Sequence, residues 1–101
     1  MIPRGVAIFI GVEPIDLRWG FDRLSGIVAE RINRVARSGA LFVFFGKRRD
    51  ALKILFFDGS GLCLFYKRLD RGTFRIPEVL EAGAASLSVD ERVLDDLLDE
   101  K

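Results

Sequence analysis

The sequence predicts an α+β fold in a single domain spanning residues 1–101: a mainly antiparallel sheet of about five strands, one long amphipathic helix and a short C-terminal helix. Three observations predict it. Leu41–Phe45, Leu52–Phe57 and Leu62–Lys67 are short apolar runs rich in Phe, Leu, Ile and Val, separated by polar links, as consecutive strands require. Ahead of them, Leu17, Phe21, Leu24, Val28, Ile32 and Val35 recur at helical spacing, which marks one apolar stripe. With 101 residues, 50% of them apolar, the chain is long enough to close one core.

Taken in order, Val6–Ile10 is β-branched, aromatic and continuous, the pattern of a strand covered on both faces. Glu13-Pro14 ends it, and Asp16 stands where a helix N-cap would accept free N–H groups. The helix that follows should run about four to five turns. Gly20 and Gly26 each weaken it by about 1 kcal/mol relative to Ala, a cost that close approach to the sheet would explain. Arg37-Ser38-Gly39 reads as its stop.

Asp58-Gly59-Ser60-Gly61 is a hairpin signal, because glycine admits positive φ and the Asp side chain can bond its own turn. The links 46–50 and 70–72 are also short and contain Gly and Asp, which fits a meander. Thr73–Ile76 reads as a further short strand, closed by Pro77, which cannot donate to a ladder. Glu78–Ala85 shows little periodicity and reads as a loop. Ser88 and Glu91 then have capping-box spacing, and Val89, Val93, Leu94, Leu97 and Leu98 form the stripe of an acidic helix.

The formal net charge of +1 hides an asymmetry. Residues 1–44 sum to +2, 45–77 to +5 and 78–101 to −6. The middle segment has the balance of a surface that faces a polyanion, and the acidic tail could answer that charge within the fold. The lone cysteine, Cys63, lies inside an apolar run, so no disulfide forms within the chain and a reduced, cytoplasmic setting is expected. Val6–Val12 is too short to span a bilayer and lacks a small-residue cleavage site after it.

The inventory for catalysis is poor, and a non-enzyme is expected. Histidine is absent, which removes the commonest general base and metal ligand. Cys63 has no activating partner in sequence and reads as a core thiol. Asp16 reads as a cap, Asp58 as a hairpin residue, Asp50 and Asp70 as turn residues and Asp22 as a solvated helix position, so no converging metal set or cofactor is expected.

The remaining signal is basic. Arg18, Lys47, Arg48, Arg49, Lys53, Lys67, Arg68 and Arg71 are candidate nucleic-acid contacts, and Tyr66 beside Lys67-Arg68 is a candidate base-stacking residue. The same residues also fit solvated turns guarding a Phe-rich edge, with Asp50, Asp58 and Asp70 as local partners. Trp19 lies off the main helical stripe and either anchors a partner or packs over the end of the sheet.

Five ordered blocks resemble a known family: Asp16-Leu17-Arg18-Trp19-Gly20-Phe21-Asp22-Arg23-Leu24, Leu41–Phe44, Lys47–Asp50 with Lys53–Leu55, Asp58–Leu69, and Gly72-Thr73-Phe74. Together they are similar to TnpB, the second open reading frame product of bacterial insertion sequences of type sixty-six, over nearly the whole chain. In such proteins Arg49 stands at a common Gly, Ala51 at a common Arg, and Trp19 at a common Lys. Phe57 and Ile76 stand at common Trp positions. The resemblance implies an accessory protein for DNA transposition, encoded beside a separate transposase and without an assigned catalytic site. It places Lys47-Arg48, Lys53 and Lys67-Arg68 within recognisable blocks. DNA at the element ends and the transposase are the partners expected, with a homo-oligomer also open. The alternative is a protein-interaction module with no nucleic-acid contact, built on the Phe-rich sheet and the acidic helix.

Overall fold

A computed structural model describes residues 2–78 and 81–99. Five strands form one sheet: β1 (Ile8–Gly11), β2 (Leu41–Phe45), β3 (Ala51–Phe57), β4 (Leu62–Arg68) and β5 (Ser86–Val89). Their spatial order is β4-β3-β2-β1-β5. All neighbours are antiparallel except β1 and β2, which run parallel. The parallel pair needs a crossover, supplied by residues 12–40.

That crossover carries α1 (Phe21–Ile27), which passes directly into a π-helical turn over Val28–Ile32. The chain leaves the helix at Asn33, which takes a left-handed φ of 65°, and a single 3-10 turn follows at Ala36–Ser38. The expected long helix from Leu17 to Val35 is therefore cut at both ends. At its start, tertiary bonds win: the Ile15 N–H donates to the Phe45 carbonyl at 2.9 Å, in a parallel bridge with Gly46. Asp16 is consequently no helix cap, and the residue before α1 is Gly20, in extended backbone. At its far end Val35 is 66% exposed, so its place in the apolar periodicity was coincidental. Neither Gly20 nor Gly26 lies within 4 Å of anything a Cβ would meet, and close approach does not account for them.

The sheet is covered on both sides. One face packs Phe9, Phe42, Phe44 and Leu55 against Leu24, Val28 and Ile32 of the helical crossover, with Phe9 and Phe42 stacked at 5.8 Å. The other packs Ile8, Ile10, Leu41, Val43, Phe45, Leu52, Ile54 and Phe56 against Phe74 and, from α2 (Glu91–Leu98), Leu94 and Leu97. Full burial of each such side chain contributes about 1.5–3 kcal/mol, which explains why the strands read as continuous apolar runs.

Two further expectations are corrected. Thr73–Ile76 is not a strand; it crosses beneath the β2–β3 turn, held by one bond from the Phe74 N–H to the Arg49 carbonyl at 2.7 Å. Phe74 buries its ring against Phe45 at 5.6 Å. The fifth strand is β5, where Leu87 and Val89 alternate with serines and lean on the core. Ser88 thus belongs to the sheet, and α2 is capped by Asp90, whose Oδ1 accepts from the Val93 N–H at 3.2 Å. The Glu78–Ala85 loop expectation falls partly on residues 79–80, outside the described residues.

Candidate nucleic-acid interface

The β2–β3 turn carries Lys47, Arg48 and Arg49, all exposed. It does not project. Gly46 sits so close to the Leu17 side chain that a Cβ there would meet it at 2.9 Å. From the other side, the Leu69 N–H donates to the Asp50 carbonyl at 2.8 Å, and Phe74 binds Arg49 as described. The turn closes with a left-handed residue at Arg49, φ 59°. A φ of this sign costs a side-chain-bearing residue about 1–2 kcal/mol, a cost glycine would not bear.

On the helical face, Phe44, Lys53 and Tyr66 form one row across β2, β3 and β4. Lys53 is 6% exposed. Its ammonium donates to the Trp19 carbonyl at 2.8 Å and lies 4.9 Å from the Tyr66 ring centroid, within cation–π range. Lys53 is thus a tie between β3 and the 15–20 segment rather than an open cation. Tyr66 is 47% exposed, and its hydroxyl accepts from Arg68 Nη2 at 3.0 Å.

A hollow of about 610 Å³ opens beside the β2–β3 turn, lined in part by Arg68. Its lining combines Pro14, Ile15, Leu17 and Trp19 from the 14–19 segment with Lys47 and Arg48 of the β2–β3 turn and Arg68 of β4, and with Asp16 and Asp50. Asp16 is engaged: its carboxylate accepts from the Arg18 N–H and guanidinium, with an ion pair of 2.6 Å. Those bonds to Arg18 hold the carboxyl at about 2, below the ordinary 3.8, and the same pair raises the Arg18 guanidinium. Trp19 also lines a second hollow, of about 410 Å³, in which Arg23 lies over its ring at 4.6 Å.

Of the expected site residues, the fold brings Lys47, Arg48, Lys53, Tyr66 and Arg68 together, with Arg18 alongside. Arg49 turns toward another hollow, shared with Lys47, Ile76 and Pro77. Lys67 leaves the sheet on the opposite face, where its ammonium donates to the Leu98 carbonyl at the end of α2. Arg71 lies exposed in the 69–73 link. The apolar wall of Ile15 and Leu17 was not singled out from sequence; the alternation of apolar residues around Pro14 was its only local trace.

The acidic helix is committed elsewhere. Asp95 pairs with Arg4 at 2.7 Å and Glu91 accepts from the Gly5 N–H. Among the described residues, no carboxylate lies within ion-pair distance of Lys47, Arg48, Arg49, Arg68 or Arg71. Cys63 is half-buried, and desolvation pushes its thiol up from the ordinary value, the opposite of nucleophile activation. Among the described residues no group of three or more carboxylates or thiols is placed to hold a metal, and no helix is long and apolar enough to cross a membrane.

A family model described as IS66 Orf2 like protein matches residues 6–100. The chain belongs to the IS66 Orf2-like family. The match supports an accessory role associated with transposition of an insertion sequence, and it spans every element that builds the hollow. Two relatives come from Sinorhizobium fredii (strain NBRC 101917 / NGR234). The uncharacterized protein y4hO is 42% identical over 90 residues, 87% of this chain and 77% of the relative. The uncharacterized protein y4jC is 36% identical over 88 residues, 87% of this chain and 74% of the relative. No solved structure matches.

Proposed function

We propose that this family member acts in transposition by engaging DNA, the element's transposase, or both, through the basic surface of Lys47, Arg48 and Arg68, without chemistry of its own. The observation that carries the reading is that, among the described residues, no carboxylate lies within ion-pair distance of these cations, while Asp95 and Glu91 of α2 are engaged by Arg4 and the Gly5 N–H. Free cations of this kind gain affinity for phosphates by releasing condensed counterions. Such a role goes with a cytoplasmic location. Anisotropy of labelled terminal-repeat DNA over a range of salt tests it. Affinity should fall linearly on logarithmic axes, by about 0.9 of slope for each phosphate neutralised; binding indifferent to salt, or none at low salt, removes the DNA part.

The protein-interaction reading has its own support. β4 is a terminal strand of the sheet, and its outer edge pairs with no other described strand, so a second copy or the transposase could add to it. Sedimentation at two salt concentrations, with and without transposase, decides it. A strictly monomeric chain that ignores the transposase rules it out.

A further inference from the structure

Resting on the DNA reading above, we infer that the hollow beside the β2–β3 turn takes an unpaired nucleotide, so that single-stranded DNA is the preferred form. The lining of this one hollow holds both halves of a nucleotide's chemistry. Ile15, Leu17 and Trp19 supply apolar and aromatic side chains suited to a base, and Lys47, Arg48 and Arg68 supply cations suited to its phosphate. A volume of about 610 Å³ falls in the range of small-molecule sites, roughly 300–1,000 Å³.

The manner in which the turn is held argues against duplex. A two-stranded ribbon can read the major groove only if it projects into it. Here the ribbon tip is fixed between the Ile15–Leu17 segment and the Leu69–Phe74 segment by three backbone bonds of 2.7–2.9 Å. The cations therefore border a recess, and no helix presents them to a groove. Stacking platforms beside cations are the usual means of holding single strands. Trp19 lines this recess as well as the neighbouring hollow, and the Arg23 guanidinium that lies over its ring at 4.6 Å belongs to the lining of the neighbouring hollow alone. Asp50, half-buried, lining the same recess and in no ion pair among the described residues, offers an acceptor for a base N–H.

The test uses the full chain, a labelled oligothymidine of roughly 12 nucleotides and terminal-repeat DNA as single strand and as duplex. Trp19 is the one tryptophan, and its emission reports the recess directly. Single strands should bind roughly tenfold or more tightly than duplex of the same sequence, about the value of one stacked base, and should quench Trp19. R48A and R68A, both at exposed positions, should weaken single-strand binding several-fold and lower the salt slope by about 0.7 each, with unchanged circular dichroism. Equal affinity for both forms, or single-strand binding that leaves Trp19 emission unaltered, overturns the inference while the DNA reading stands. Binding of neither form overturns both.

Discussion

Lys53 and Lys67 lie on adjacent strands, one register step apart, since Lys67 is opposite Leu52. They leave the sheet on opposite faces, and each ends on a backbone carbonyl: Lys53 on Trp19, Lys67 on Leu98. The surroundings then diverge. Lys67 meets the end of an acidic helix, where a cation complements the exposed carbonyls. Lys53 meets a tyrosine ring and a segment whose nearest acid, Asp16, is held by Arg18. One cation thus ends at a helix terminus, while beside the other Lys47, Arg48 and Arg68 border a recess with no ion pair among the described residues. A positive sequence segment becomes a site only where the fold withholds its counter-charge.

The comparison breaks hardest at Lys53. Lys53→Ala removes a buried stem and leaves the Trp19 carbonyl without its donor, so a loss of about 2–4 kcal/mol is expected. Lys53→Met, which keeps the stem, should cost about 1–2 kcal/mol. Urea unfolding at constant m-value measures both. If Lys53 is a tie rather than a phosphate ligand, Lys53→Met should also leave the salt slope of DNA binding unchanged. A slope reduced as much as in R48A would move Lys53 back among the contacts.

Lys67→Ala should cost less, about 1 kcal/mol, because the carbonyl it serves lies at a helix end that water can reach. The loss should be local. Hydrogen exchange ought to quicken at the α2 amides and remain slow in β2 and β3; uniform acceleration would mean that Lys67 supports the whole sheet.

Much of this was legible in the chain. The three-strand meander, the Asp58 hairpin and the two-sided cover of β1 follow from runs that admit one reading. β5 was missed because four residues, Ser86–Val89, give too short an alternation to compete with the capping spacing of Ser88 and Glu91, and Asp90 took the cap. The helix was overextended because Leu17 fits a helical stripe as well as it fits the wall against Gly46, and only tertiary pairing of Ile15 with Phe45 separates the two. For the site, alternation along β4 does put Tyr66 and Arg68 opposite Lys67. The burial of Lys53 was hidden, since lysine ordinarily signals solvent.

Arg49→Gly sharpens the contrast within the basic turn. Arg49 holds φ 59°, and its backbone, not its guanidinium, is what the fold uses, through the bonds to Gly46 and Phe74. Replacement should stabilise by about 0.5–1 kcal/mol, the relieved strain offset by a more flexible unfolded chain. It should leave quenching of Trp19 by single strands intact, because Arg49 lines the other hollow. Destabilisation would show that the side chain carries contacts the turn depends on.

The smallest expected effect separates two carboxylates that share a low value for different reasons. Asp16, beside the recess, and Asp58, in the far hairpin, both titrate at about 2 against an ordinary 3.8. Asp16 is held first by the Arg18 side chain, Asp58 first by the Ser60 N–H, with the Ser60 hydroxyl and the Gly61 N–H. A depressed folded value means each contribution is complete above about pH 4 and is lost as pH falls toward about 2. Stability should therefore decline across that window, and Asp58→Asn, which retains an acceptor oxygen but no proton to gain, should make the decline shallower. Arg18 is 90% exposed, so its pairing is open to screening. Added salt should shrink Asp16's share of the acid decline, leaving the part that the Arg18 N–H holds, and spare that of Asp58, whose partners carry no charge. An acid decline erased entirely by salt would place the whole effect on the recess side.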